Sequence, residues 1–213
     1  VVGLLNDRKR RIHCGGGRIT HAIAGYLAMH LQMARPHVSL IPSAASHWPQ
    51  YALDLGKGDV VVLFDIRRYD ARMLEFAASA KERGARIVLI TDQWISPIAR
   101  LAVHSLPLRI EAPSPWDSNM VPLFVAETLV AATVAASWPA TQARIRELDA
   151  ELRAARGGEL AELRATARTL AQQIQILALQ GEEQRRLIAV LEEQIARADP
   201  KVLPFRPPSQ GGA

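Results

Sequence analysis

Cysteine is almost absent from this 213-residue sequence, which contains only Cys14. A single thiol excludes an internal disulfide framework and a multi-cysteine zinc site, and it favours a reducing, cytoplasmic location. The His-Glu-x-x-His spacing of zinc hydrolases is missing too, and the six histidines are scattered along the chain. The sequence therefore predicts neither a metal site nor a bound cofactor.

Long apolar segments are also missing. The most membrane-like stretch, 120–138, contains Pro122, Glu127 and several small or hydroxyl residues. Because a membrane span needs about 20 predominantly apolar residues, we expect a buried core helix there instead. No signal peptide is recognisable at the start, where Val1 to Leu5 resembles the last turn of a helix, so we expect this chain to be part of a longer protein.

A large excess of one charge is the third missing feature, since the formal net charge is only +5. Charged residues make up 22% of the chain and hydrophobic residues 49%, which is typical of a globular protein with one full core and an appendage. The one dense basic cluster runs from Arg8 to Arg11. We favour a solvated turn there, because a nucleic-acid footprint usually needs a wider basic stripe.

Short apolar runs alternate with helical patterns over the first two thirds of the chain. The patterns predict strands over 12–15, 38–41, 60–64, 87–91 and 106–110, and helices over 20–34, 50–55, 71–83, 96–105 and after the capping pair Asp117-Ser118. Since each parallel connection needs a crossover, we predict an α/β fold, a five-stranded parallel sheet flanked by helices in a flavodoxin-like three-layer sandwich. In the common strand order 2-1-3-4-5, ligands bind outside the carboxyl ends of the first and third strands.

Two loops suited to anions follow those two strands, at 15–20 (Gly-Gly-Gly-Arg-Ile-Thr) and at 65–70 (Asp-Ile-Arg-Arg-Tyr-Asp). Glycines let the backbone approach a phosphate, a hydroxyl at a helix start adds a donor, and guanidinium groups fork onto phosphate oxygens. Either loop alone is weak support, because glycines also simply turn a chain and arginines also simply face water. Their convergence at the point where the winding reverses predicts an anion-binding crevice.

Four motifs in order make the pattern more specific. They are Gly16 to Thr20, Gly58-Asp59-Val60 leading into Phe64 to Tyr69, Ile90-Thr91-Asp92 with Ser96 to Ala99, and Ala112 to Ser118. From Val1 to about Arg156 the chain resembles the sugar-isomerase (SIS) domain of MurR/RpiR-type bacterial transcriptional regulators. The resemblance implies a domain that senses phosphosugars or related anionic metabolites and follows an N-terminal helix-turn-helix domain. That domain is missing from this chain, so DNA would be contacted only through it.

The two loops and the resemblance together give a candidate effector site. Its residues are Gly16, Gly17, Arg18, Thr20, Asp65, Arg67, Arg68, Tyr69, Thr91, Asp92 and Ser96. Many SIS domains carry small hydroxyl residues with glycine after the third strand, where this chain has Asp65, Arg67, Arg68 and Tyr69. Guanidinium groups there favour a carboxylate or a differently shaped phosphate. Alternatively, Arg67 and Arg68 pair with Asp65, Asp70 or a neighbouring subunit and leave the crevice without a small ligand.

Catalysis by such a domain would need a general acid or base near the sugar carbons. Glu127 in its apolar helix and His21 beside the first loop are the candidates. A carboxylate that faces solvent or a subunit contact is the commoner case for the first, and ordinary helix-start polarity is the simple role of the second. We therefore expect a sensor and not an enzyme, with a phosphosugar isomerase or a non-catalytic structural assembly module as the alternatives.

Beyond the predicted SIS effector-binding domain, 1–140, the pattern changes to a helical, coiled-coil extension over 141–199. Its seam consists of Leu163, Ala167, Leu170, Ile174 and Leu177, and it resumes at Ile188, Leu191 and Ile195. Gly157-Gly158 predicts a break or hinge. A narrow apolar stripe must be buried, so we expect a homodimer or higher homo-oligomer, with a simple packing appendage as the alternative. The proline- and glycine-rich residues 200–213 are predicted to be disordered.

Overall fold

A computed structural model describes residues 1–198, and for part of the stretch after residue 170 it describes the backbone only. The strands are β1 Ile12–Gly16, β2 Val38–Leu40, β3 Val60–Asp65, β4 Arg86–Asp92 and β5 His104–Leu108. The helices are α1 Val2–Asn6, α2 His21–Ala34, α3 Trp48–Asp54, α4 Ala71–Glu82, α5 Met120–Ala136 and α6 Trp138–Ala198, with short 3-10 turns at Ala45–His47 and Pro97–Arg100. Strands and helices therefore alternate as the sequence predicts.

The five strands form one sheet in the order β2-β1-β3-β4-β5, and every neighbouring pair is parallel. The register places Gly16 beside Phe64, and Asp65 beside Thr91. The carboxyl ends of β1, β3 and β4 thus meet at one edge of the sheet. The predicted α/β fold and the predicted strand order are confirmed.

Helices cover both faces of the sheet, and β3 and β4 are therefore almost wholly buried and apolar. Val60, Val62 and Phe64 pack in one core with residues of α1, α2 and α5, and Val61 and Leu63 pack in a second core with residues of α3 and α4. Successive residues of one strand thereby point into two different layers. The three-layer sandwich follows directly from this alternation.

The end of the sheet differs from the sequence prediction. The helix expected over 96–105 is one 3-10 turn, Pro97–Arg100, although Ser96 caps it as expected by accepting a bond from the amide of Ile98. The amide of Val103 already bonds to the carbonyl of Ile87 at 2.8 Å, so the chain joins the sheet two residues before the predicted strand. Pairing along the edge of β4 outweighs a weak helical pattern.

Helix α2 buries the apolar stripe predicted for it and connects two regions of the domain. Its first residue follows the loop after β1, and its C-cap, Arg35, is buried with its guanidinium bonded to the carbonyl oxygens of Leu5 and Arg10. Near the same end, Arg144 of α6 donates to the carbonyl of Gln32 at 2.9 Å. The C-terminal end of α2 therefore anchors both α1 and the start of α6.

Helix α5 is only partly the buried core helix that its composition predicts. Ala126 and Leu129 are buried, but Met120 and Phe124 are 78% and 67% exposed. Among the described residues no single helix is long and apolar enough to cross a membrane, and only the strongly bent pair of α5 with the first half of α6 satisfies that length and composition.

Helix α6 continues without a break through Gly157 and Gly158, so the predicted hinge is wrong. A helical glycine costs about 1 kcal/mol relative to alanine, which strong helix formers on both sides can offset. Residues up to Ala150 form one compact unit, and the rest of the helix belongs to a second unit. The division at residue 140 and the coiled-coil seam stay predictions, and the tail 200–213 lies outside the described residues.

Candidate functional site

The loop after β1 brings the start of α2 very close to the sheet. A Cβ on Gly16 would lie 2.7 Å from the backbone carbonyl of Thr20, so only glycine fits there. The amide of Gly17 donates to the carbonyl of Phe64 at 3.3 Å, and the hydroxyl of Thr20 donates to the same oxygen at 2.8 Å. These bonds fix the glycine loop to the end of β3.

Free backbone donors collect at this helix start. Within the described part of the chain, the amides of Arg18, Ile19 and Thr20 donate no hydrogen bond. They precede the first turn of α2, where the helix dipole adds positive potential. A site of this kind binds a phosphate, sulfate or carboxylate group.

The loop after β3 is organised by the buried side chain of Asp92. One carboxylate oxygen accepts the amide of Arg67 at 2.7 Å, and the other accepts the hydroxyl of Tyr69 at 2.5 Å and the amide of Trp94 at 3.0 Å. Both Arg67 and Arg68 are held in the left-handed region, with φ of 41° and 50°. Such residues cost about 1 to 3 kcal/mol each, so the three bonds to Asp92 offset strain that the loop stores.

The guanidinium of Arg67 lies between two groups from other loops. It is 3.2 Å from a carboxylate oxygen of Asp117, and it lies 4.1 Å from the centroid of the Trp94 ring. Arg68 is exposed and makes none of the polar contacts found among the described residues. Two cationic side chains therefore stand at the end of β3, one already paired and one open to an anion.

A second polar cluster lies beneath this loop. Ser96 donates its hydroxyl to the buried carboxylate of Asp65, and its amide donates to Thr91 Oγ1 at 3.1 Å. Burial raises the pKa of Asp65 above its usual value, and the hydrogen bond from Ser96 opposes that shift. These hydrogen bonds connect β3, β4 and the turn that follows β4, and they fix the strand ends that border the crevice.

Burial also raises the pKa of Tyr69, and its hydrogen bond to Asp92 acts in the same direction. The phenol therefore stays protonated at neutral pH and remains a donor. Its hydrogen bond to Asp92 connects the loop after β3 to the end of β4.

The sequence itself carries a family signature over this whole region. The model of the SIS domain matches residues 4–132, more than half of the chain. The protein belongs to the SIS domain family. No curated protein sequence matches the chain.

Solved structures share the SIS fold with this chain. The SIS domain of an RpiR transcription factor from Sphaerobacter thermophilus has 23% identity and a TM-score of 0.64, over 70% of this chain and 82% of that one. Vibrio vulnificus NanR, complexed with ManNAc-6P, has 17% identity and a TM-score of 0.57, over 71% and 57%. A Bacteroides fragilis protein assigned as a phosphosugar isomerase involved in capsule formation has 18% identity and a TM-score of 0.57, over 67% of this chain and 82% of that one. At these identities the likeness establishes the fold, and the chain spans little more than half of NanR.

The candidate effector residues of this SIS domain all lie at the carboxyl edge of the sheet or in the loops that follow it, but they differ in availability. Buried side chains of Thr20, Asp65, Thr91, Asp92 and Ser96 bond to other parts of the protein. The groups left open to a ligand are the amides of the first loop and the exposed side chains of Arg18 and Arg68. Binding by any of these groups stays a prediction.

Among the described residues, Arg67 and Arg68 do not form the alternative pairs with Asp65 or Asp70, and their pairing with a neighbouring subunit stays a prediction. Arg67 pairs with Asp117, whereas Asp70 pairs with Arg72 at 2.8 Å and Asp65 bonds to Ser96. The sequence predicts that the pair Asp117-Ser118 caps α5. Ser118 accepts the amide of Met120 at 3.2 Å, whereas the carboxylate of Asp117 pairs with Arg67. Trp94 was missed altogether, and its position two residues after Asp92 was the only available signal.

The two acid–base candidates, Glu127 and His21, have different surroundings. Glu127 is exposed on α5 and accepts a 3.2 Å bond from the hydroxyl of Tyr26. His21 has a buried ring nitrogen, Nδ1, without a partner among the described residues. No cluster of metal-binding side chains is found in the described part of the chain, and burial raises the pKa of Cys14 to about 12, which keeps that thiol protonated.

Proposed function

We propose that this SIS domain is the effector-sensing and dimerising part of a MurR/RpiR-type transcriptional regulator in the cytoplasm. Its ligand is a small anionic sugar derivative of the phosphosugar class. The observation that carries this proposal is that the amides at 18–20, which donate no hydrogen bond among the described residues, lie at the same end of the sheet as the two cationic side chains at 67 and 68. DNA binding belongs to a separate N-terminal domain that the present sequence does not contain.

The anionic group is the best-supported part of the ligand. Backbone donors at the start of α2 satisfy phosphate oxygens, and guanidinium groups add charge-assisted bonds. NanR was solved with ManNAc-6P, a sugar phosphate, and it shares this fold. Because Arg67 and Arg68 replace the hydroxyl residues common in SIS domains, we expect a ligand whose anion is contacted from the side by guanidinium.

Self-association is the second part of the proposal. Helix α5 is apolar on nearly all sides, yet Met120 and Phe124 are exposed, and Met29 of the adjacent helix α2 is 60% exposed. A helix that is hydrophobic all round is normally covered, and a second copy of the chain offers the same apolar surface. The seam predicted in α6 supplies a further contact between copies. A ligand changes DNA affinity only by preferring one dimer arrangement over the other.

Isothermal titration calorimetry of the 213-residue chain with ManNAc-6P and with inorganic phosphate tests the binding step. We expect measurable binding of the sugar phosphate, weakened about tenfold by Arg68→Gln, because a bond to a charged group contributes about 1.5–3 kcal/mol. Arg83→Gln is the matched control, since Arg83 is exposed at the C-cap of α4, the opposite end of that helix from the crevice loop at 65–70. Failure of both probes to bind overturns the proposal.

The isomerase alternative is tested with the same protein. Conversion of ManNAc-6P, followed by NMR over hours at micromolar enzyme, is expected to stay at the uncatalysed rate. Turnover that Glu127→Gln abolishes while binding persists would establish catalysis instead. We rank this outcome second because Glu127 is exposed and bonds to Tyr26.

A further inference from the structure

The segment between β5 and α5, residues 109–119, crosses the carboxyl edge of the sheet, and we call it the strap. Strand β5 is the outermost strand on its side of the sheet, and β4 lies between β5 and β3. Asp117 nevertheless reaches Arg67, which follows β3. The strap must therefore pass over the end of β4 to make this contact.

Within the strap two backbone hydrogen bonds form, from the amide of Ser118 to the carbonyl of Ile110 and from the amide of Ser114 to the carbonyl of Ala112, both at 2.7 Å. The amide of Trp116 also donates to the hydroxyl of Ser114 at 3.1 Å. The tip that carries Asp117 is attached to the rest of the domain through the Arg67 ion pair. Both partners are accessible, with 48% and 38% of their side-chain surface exposed. An exposed pair of this kind is weak and exchanges readily with other anions.

We infer that Asp117 is an intramolecular anion that competes with the ligand for Arg67. The inference rests on the proposed function and names the residue that sets the affinity of that site. A carboxylate at 3.2 Å uses the same guanidinium donors that a phosphate group would use. The ring of Trp94 holds the guanidinium in place, so it stays at the crevice when the carboxylate leaves.

Competition has a calculable consequence for binding. The apparent affinity of a ligand is its intrinsic affinity multiplied by the fraction of molecules in which the competing contact is open. An exposed ion pair contributes about 0.2–1 kcal/mol, so loss of the competitor strengthens binding about two- to sixfold. A merely structural role for Asp117 predicts the opposite, since a disordered strap would weaken the site.

The geometry also assigns a direction to the displacement. Met120, the first residue of α5, follows Asp117 by three positions, and α5 packs against α1 and α2. Release of Asp117 by a ligand frees the strap next to the start of the helix that presents the proposed dimer surface. Occupancy of the crevice is thereby linked to α5 without any contact between the ligand and that helix.

The test compares four forms of the full chain: the unmodified protein, Asp117→Asn, Glu111→Gln and Arg67→Gln. Glu111 is the matched control, because it is an exposed strap carboxylate that makes none of the polar contacts found among the described residues. Binding of ManNAc-6P and of inorganic phosphate is measured by calorimetry at one pH and ionic strength. We expect Asp117→Asn to tighten binding about two- to sixfold, Glu111→Gln to change it much less, and Arg67→Gln to weaken it about tenfold.

Hydrogen exchange supplies a second readout. Saturating ManNAc-6P is expected to accelerate exchange of amides in 109–119 in the unmodified protein, whereas in Asp117→Asn the strap exchanges rapidly before ligand is added. Equal or weaker binding by Asp117→Asn, with Arg67→Gln still impaired, overturns the competitor role and leaves the proposed function intact. Unchanged binding by Arg67→Gln removes Arg67 from the site. No binding by any form overturns the proposed function itself.

Discussion

The hydroxyl of Tyr69 donates a 2.5 Å hydrogen bond to a carboxylate oxygen of Asp92, and this contact joins the loop after β3 to the end of β4. The other carboxylate oxygen holds the amide of Arg67, so one buried carboxylate sets the shape of the loop. We expect Tyr69→Phe to lower the free energy of unfolding by about 1.5–3 kcal/mol. We expect Asp92→Asn to lower it further, because an amide group cannot accept all three bonds. Urea unfolding measures both, and an unchanged midpoint for Asp92→Asn would contradict this account.

The close approach at the first loop gives a second prediction. Gly16→Ala places a methyl group 2.7 Å from the Thr20 carbonyl and is expected to destabilise the domain by about 1–3 kcal/mol. Gly17→Ala is the matched control, since the nearest atom to its Cβ is 3.6 Å away. Thermal unfolding of the two variants separates them, and equal melting temperatures would show that the start of α2 moves freely.

The pH dependence of stability should report the burial of Asp65. Its pKa is raised in the folded state, so the protonated form is favoured there. The stability that it contributes is fully present below the unfolded pKa of about 3.9 and is lost as pH rises through the higher folded value. We expect Asp65→Asn to lack this component, so the difference between the unmodified and variant free energies of unfolding falls as pH is raised from about 3.5 to 7. Chemical denaturation across that range measures it, and a constant difference would refute the shift.

The exposed face of α5 gives a prediction about assembly. Phe124→Glu places a charge on the proposed dimer surface and is expected to weaken dimerisation at least tenfold, because burial of an unpaired charge opposes association. Leu53→Glu serves as the control, since Leu53 on α3 is similarly exposed, at 65%. Sedimentation equilibrium of both variants tests this. If Phe124→Glu still dimerises and Leu53→Glu does not, the interface lies on α3 instead.

The sequence predicts most of the fold because the signals lie in strong, short-range patterns. The uninterrupted apolar run at 60–64 and the helical stripe at 23, 27 and 31 leave little choice of structure. Weaker signals were misinterpreted where long-range pairing decided the outcome. His104 and Ser105 look helical locally, but they pair with Val88 and Leu89. Gly157 and Gly158 look like a hinge, but neighbouring helix formers keep α6 continuous.

The position of the candidate site can be predicted from the sequence, but most of the contacts made by its residues cannot. Glycines and arginines after successive strands indicate an edge of the sheet, because parallel topology brings those ends together. Whether a side chain faces a ligand or another loop depends on partners far away in sequence. Arg67 and Asp117 are the clearest case, because no spacing rule connects residues on segments that meet only after the strap has crossed β4.

Helix α2 begins beside the unpaired amides at 18–20 and ends where Arg35 binds the carbonyl of Leu5 and where Arg144 binds the carbonyl of Gln32. Its 14 residues make a rod about 21 Å long. This one continuous helix joins the loop that borders the crevice to the attachments of α1 and of the first turns of α6. The start and the end of the first compact unit are therefore both attached to the helix whose first turn lies at the crevice.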